Sequence, residues 1–90
     1  MCKMVFTLEE GALMIDALEA LKRYKMSDYA LSKTDALMLR ISNGFLSFTL
    51  GELKNICLGL ELILLDDPMN WKVNVLLHRL RSDLQIPRQL

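Results

Sequence analysis

Histidine occurs once in this chain, cysteine twice, proline twice and glycine four times. Each scarcity excludes something. His78, Cys2 and Cys57 form no Cys-x-x-Cys, His-x-x-x-His or Glu-x-x-His pair, so a metal site lacks its minimum ligand set. Two cysteines so far apart make no disulfide framework either. Cys57 lies in the most apolar segment, and a buried free thiol there implies a reducing, cytosolic setting. No glycine-rich loop precedes a helix in a way that would cradle phosphate. Net charge is absent as well: eleven basic side chains balance eleven acidic ones. The chain is therefore neither a strongly basic nucleic-acid binder nor an acidic disordered regulator. Long apolar runs are missing too. The longest, Ile56 to Leu65, is interrupted by Glu61 and falls short of the roughly 20 residues that cross a bilayer. Met1 to Phe6 is too short for a secretory signal. The expectation is a cytoplasmic protein of bacterial or phage type that uses no cofactor, metal or membrane.

What is present is apolar surface. Of 90 residues, 52% are hydrophobic. A chain this long is one domain, and it buries only roughly 60–65% of its unfolded surface, so a lone monomer is marginal. The ways out are a dense helical core, a partner or self-association. Zero net charge leaves association unopposed.

The periodicity predicts an all-α fold, a compact four-helix bundle in a single domain over residues 1–90. The first helix is expected over about 8–24. Thr7 and Glu10 stand three apart, the spacing of a capping box. Gly11, Met14, Ile15, Leu18 and Leu21 fall on one face, and Leu13, Ala17, Ala20 and Tyr24 on an adjacent one, so this helix packs against two neighbours. The second helix is expected over 31–43, with Ser27-Asp28 as an earlier start and Ser32-Asp35 as the later one. Asn43-Gly44 ends it. The third, over 50–65, opens with Thr49 and Glu52 and is apolar nearly all round, the mark of a buried helix. Gly59 in its middle costs roughly 1 kcal/mol against alanine, a cost that close approach of another helix would offset. The fourth is expected over 68–84, with Pro68 at the first helical position and a stripe of Met69, Val73, Leu76, Leu77, Leu80 and Leu84. Pro87 stops the pattern, and 85–90 reads as a frayed tail.

Phe6-Thr7-Leu8-Glu9-Glu10 recurs as Phe48-Thr49-Leu50-Gly51-Glu52, an offset of 42 residues that also sets Leu18 on Leu60 and Glu19 on Glu61. Each copy is followed by a second amphipathic helix. The chain thus reads as two similar helical hairpins, or as one capping grammar used twice.

Glu61 is the odd charge. Lys54 lies two turns before it on the same face, which favours a solvated stripe; the alternative is a buried carboxylate paired with a cation. That stripe also holds Leu58 and Leu65. Leu58, Leu62 and Leu65 of helix three, with Trp71 and Val75 of helix four, form the candidate interface. Lys72, His78, Arg79, Arg81 and Arg88 could meet phosphate. Helix electrostatics accounts for them more simply. Asp66 and Asp67 start helix four and Arg79 and Arg81 end it, as Glu9 and Glu10 start helix one and Lys22, Arg23 and Lys25 end it.

Arg40-Ile41-Ser42-Asn43-Gly44, followed by Thr49-Leu50, Leu53, Ile56 and Leu60, resembles the second half of a phage-repressor-type helix-turn-helix domain. The resemblance covers about twenty residues and implies a recognition helix ending at Asn43-Gly44. The sequence departs from that pattern where bases are read. Lys33 to Leu39 is mostly apolar, and the loop carries Phe45, Leu46 and Phe48 in place of basic and proline residues. Two functions are therefore carried forward. The first is a non-enzymatic protein-interaction or regulatory module, most simply a homodimer. The alternative is a DNA-binding regulator with a degenerate helix-turn-helix.

Overall fold

Four helices form where the capping chemistry places them. The computed structural model describes residues 5–24 and 27–85. It contains α1 (Leu8–Lys22), α2 (Asp28–Ser42), α3 (Leu50–Asp66) and α4 (Trp71–Leu84), with no strand among the described residues. The fold is an all-α four-helix bundle. Both expected capping boxes are complete. The Thr7 hydroxyl accepts the Glu10 backbone N–H at 3.1 Å, and Glu10 Oε1 accepts the Thr7 N–H at 2.8 Å. Thr49 and Glu52 do the same at 3.2 and 2.8 Å. Each box satisfies two backbone donors that a helix start otherwise leaves open.

Three boundaries differ from expectation by two or three residues, for local reasons. α1 stops at Lys22, short of Tyr24, because the N–H groups of Arg23 and Tyr24 turn back onto the carbonyls of Ala20 and Leu21. These three-residue bonds tighten and end the last turn. α2 takes the earlier of its two starts: the Ser27 hydroxyl accepts the Ala30 N–H at 3.2 Å, adding a turn ahead of Leu31. It closes as Asn43-Gly44 predicts. Gly44 has φ +86°, and the Gly44 and Phe45 N–H groups reach back to Ile41 and Arg40, the paired bonds of a left-handed helix cap. α4 begins at Trp71, not at Pro68. The Asn70 N–H closes a turn onto Asp67 O at 3.1 Å, and the Asn70 side chain caps the helix through the Val73 N–H at 3.3 Å. Proline fits a turn as readily as a first helical position, and asparagine is the better cap. Met69 accordingly stands exposed in the turn, outside the α4 stripe. Cys2, Lys25, Pro87, Arg88 and the tail beyond Gln85 lie outside the described residues.

The core is built on α1 against α3, with α2 packed on α1 and α4 on α3. Met14, Leu18, Leu53, Ile56, Leu60 and Leu80 are fully buried. Gly59 is where α1 and α3 come closest. A Cβ placed on it would collide with the backbone carbonyl of Ala17, so the glycine buys close backbone approach at the expense of helix propensity.

Equivalent positions of the two hairpins meet each other. Phe6 contacts Phe48 edge-to-face, with ring centroids 5.7 Å apart. Ala17 meets Gly59, its counterpart in α3. Self-contact between equivalent positions is what a twofold relation produces. The ion pairs repeat it. Arg40 of α2 holds Glu52 of α3 at 2.7 Å and donates to Ser47 O at 2.8 Å. Arg79 of α4 holds Glu10 of α1 and donates to Val5 O at 2.6 Å. In each case an arginine late in a hairpin's second helix locks onto the capping box of the other hairpin's first helix, and onto a carbonyl just before it.

These two locks tie stability to acid pH. Burial raises the pKa values of Glu10 and Glu52. The backbone N–H groups of Thr7 and Thr49, together with Arg79 and Arg40, outweigh it, and both carboxyls end below their ordinary value. A carboxylate depressed in the folded state adds stability above its unfolded pKa and loses it as pH falls through the folded value. Thermal unfolding should therefore show Tm level at mildly acidic pH and falling below about pH 4.3, the ordinary glutamate value. In Glu10→Gln plus Glu52→Gln the fall should be shallower. An unchanged slope in that double variant would remove these pairs as its source.

Candidate functional site

The thiol and the most buried carboxylate of the described residues are both shielded from solvent. Cys57 is buried, and burial pushes its thiol up to about 11. A thiol that stays protonated in neutral water is a poor nucleophile. His78 is exposed on the outer side of α4. No group of three histidine, cysteine or acidic side chains that could hold a metal ion occurs among the described residues.

Glu61 corrects the solvated-stripe expectation. It is 6% exposed, and its Oε1 accepts from the guanidinium of Arg81 on α4. A bare carboxylate does not persist in an apolar interior, so the position demands a cation, and α4 supplies it. The sequence signal was a lone carboxylate in the run Leu60-Glu61-Leu62-Ile63. Its partner, twenty residues on, is set by how α4 docks and shows no local spacing.

The basic residues of α4 are likewise engaged in tertiary pairs. Lys72 holds Glu9 at 2.8 Å, Arg79 holds Glu10, and Arg81 holds Glu61. The helix-electrostatics reading holds for α1, with Glu9 and Glu10 in its first turn and Lys22 in its last. At α4 it holds for Arg81 in the last turn, but Asp66 ends α3 and Asp67 is the C-cap of α3, so no acidic residue stands in the first turn of α4. Arg40 and Arg79 point to separate capping boxes and Lys33 stands over the Tyr29 ring, so these three cations do not make one phosphate-facing surface. On α2, the helix that would read bases, Thr34, Leu37 and Ile41 are buried, while Asp35 pairs with Lys22.

The five candidate interface residues separate by depth. Leu62 is buried in the core, and Leu58 packs half-buried against it. The seam of helix three is thus filled from within the chain, because α3 has α1 on one side and α4 on the other. Leu65, Trp71 and Val75 remain outside. Trp71 is 67% and Val75 59% exposed, one helical turn apart on α4. They border a shallow cleft against α1 that Leu13 and Glu9 line. Lys72 lies 5.8 Å over the Trp71 ring, so the indole face carries a cation. No membrane-spanning helix occurs among the described residues. Comparison with known proteins yields no matching family model, no matching curated protein and no matching solved structure.

Proposed function

We propose that this chain is a small helical interaction module that self-associates through the outer face of α4. One observation carries the reading: Trp71 and Val75 stand exposed one turn apart on a helix whose inner stripe, Val73, Leu76, Leu77 and Leu80, is already buried. The chain itself covers only about a third of Trp71, at the rim of the α1–α4 cleft. Tryptophan is over-represented among residues that anchor interfaces, and a second copy of the same chain is the commonest partner. The role is then regulatory or steric: the dimer displays or covers a surface. The DNA-binding alternative gains no support, since Arg40 and Arg79 are engaged with carboxylates.

Light scattering on a sizing column, over a range of concentrations and salts, tests this. The expected mass is twice the 10.3 kDa of one chain. Trp71→Ala should weaken association by roughly 2 kcal/mol or more, as for an interface anchor, with helix content and Tm little changed. A single-chain mass at every concentration would end the self-association reading. Undiminished dimerisation of Trp71→Ala would remove α4 from the interface.

A further inference from the structure

Two grooves of similar plan lie between the hairpins, and they differ in size. The first lies between α4 and the start of α1. It has about 200 Å³ and is lined by Glu9, Leu13, Trp71, Lys72, Val75 and Leu76. The second lies between α2 and the start of α3 and has about 800 Å³. Superposing the hairpin plan sets Lys33 on Lys72 and Leu37 on Leu76, just as it sets Arg40 on Arg79. It sets Thr49 and Glu52 on Thr7 and Glu10.

Where the small groove has Glu9, Leu13, Trp71 and Val75, the equivalent positions hold Gly51, Asn55, Ser32 and Ala36, of which Gly51 and Asn55 line the large groove. Each exchange removes volume, and the first removes a carboxylate. In the small groove that carboxylate holds the lysine: Glu9 meets Lys72 at 2.8 Å. In the large groove Lys33 stands 4.8 Å over the Tyr29 ring, with no carboxylate at ion-pair distance among the described residues. Lys54 lines the same groove, Leu18 and Leu37 give it apolar floor, and its one acidic side chain, Glu52, is held by Arg40.

We propose that the α2–α3 groove is a binding site for a small amphipathic monocarboxylic acid, its carboxylate on Lys33 and its apolar body over Leu18 and Leu37. The chemistry is that of the groups which border the twin groove, Glu9 with Leu13, Trp71 and Val75: one carboxylate with aliphatic and aromatic bulk beside it. The volume lies within the roughly 300–1,000 Å³ of small-molecule sites, and clefts between helices are usual places for them. The inference stands apart from self-association through α4, because the α2–α3 groove uses no residue of α4.

Phenylbutyrate is the probe, titrated into the full chain and followed by amide NMR shifts, with phenylbutanol as its uncharged match. Saturable shifts at Thr34, Gly51 and Asn55 are expected, with the alcohol at least about tenfold weaker, an ordinary margin for a charge-assisted contact. Gly51→Glu restores the missing carboxylate. A Cβ there meets only Thr49 Oγ1 at 3.9 Å, an ordinary contact, so the variant should fold. An acidic residue in the first helical turn should raise its Tm, while acid binding falls about tenfold or more. Lys33→Met should lose binding to a similar degree. Equal affinity for acid and alcohol would overturn the proposal. So would undiminished binding by Gly51→Glu, non-saturable shifts, or shifts centred on Trp71 and Val75. Shifts of the groove amides on dilution without probe would mean that a second copy fills the groove, and would overturn it too.

Discussion

Arg81→Met should destabilise the folded chain by about 3 kcal/mol in urea unfolding, the lower end of what breaking a buried ion pair costs. The reason lies in what remains. Glu61 is 6% exposed among leucines and isoleucines, and removing the guanidinium leaves its charge in the interior without the cation that held it. The lower end is expected because the Arg81 side chain keeps 26% of its surface in solvent, through which water can reach the vacated space. The pair itself contributes far less than its rupture costs, since burying both charges takes about what their attraction returns. Glu61→Leu combined with Arg81→Met should accordingly recover to within about 1 kcal/mol of the parent, or exceed it. The two single changes and the double change form a cycle with a large coupling energy. A loss below about 1 kcal/mol for Arg81→Met would mean that water or another group satisfies Glu61, and the ion pair would cease to matter for the fold. The pair belongs to the second hairpin alone. Its counterparts in the first are the exposed Glu19 and Ser42.

Local chemistry was legible in the sequence to the extent that it is local. Thr7 with Glu10 and Thr49 with Glu52 are short-range signals, and the helices begin where those pairs say. Asn43-Gly44 ended α2 for the same reason: Gly44 takes the left-handed position of the cap at little cost. Pro68 misled because one residue type serves two local geometries, and the choice rested on Asn70 two positions later. Glu61 misled because helical spacing places it on a face without saying what covers that face. Lys54 shares the face, but α4 covers one end of it. The candidate interface divided on the same ground. Leu62 and Leu65 are equally apolar in the sequence, and only the position of the neighbouring helices decides which is buried. The α2–α3 groove was invisible because it is defined by differences between two halves. Gly51 against Glu9 means nothing until Lys33 and Lys72 are known to occupy equivalent places.

Leu60→Ala is the second large effect. Leu60 is wholly buried beside Gly59, where α1 and α3 are in backbone contact. Truncating a buried leucine costs about 2–5 kcal/mol, and the spread reflects how far the surroundings collapse into the space. Here collapse is obstructed, since α1 and α3 already touch at Ala17 and Gly59 and cannot move closer. The expected loss is therefore in the upper half of that range, about 4 kcal/mol, read from urea unfolding at fixed protein concentration with an unchanged denaturant slope. Leu18 is the same residue in the other hairpin, equally buried one position after Ala17. If the hairpins are related by a twofold through this crossing, Leu18→Ala should cost the same within about 1 kcal/mol, the scatter of context effects. A loss for Leu60→Ala below about 1 kcal/mol would mean that α3 is not the centre of the core. A large loss at Leu60 with a small one at Leu18 would mean that the second hairpin carries the fold and the first is draped on it. The matched arginine locks at Glu10 and Glu52 would then be repeated chemistry without repeated energetics.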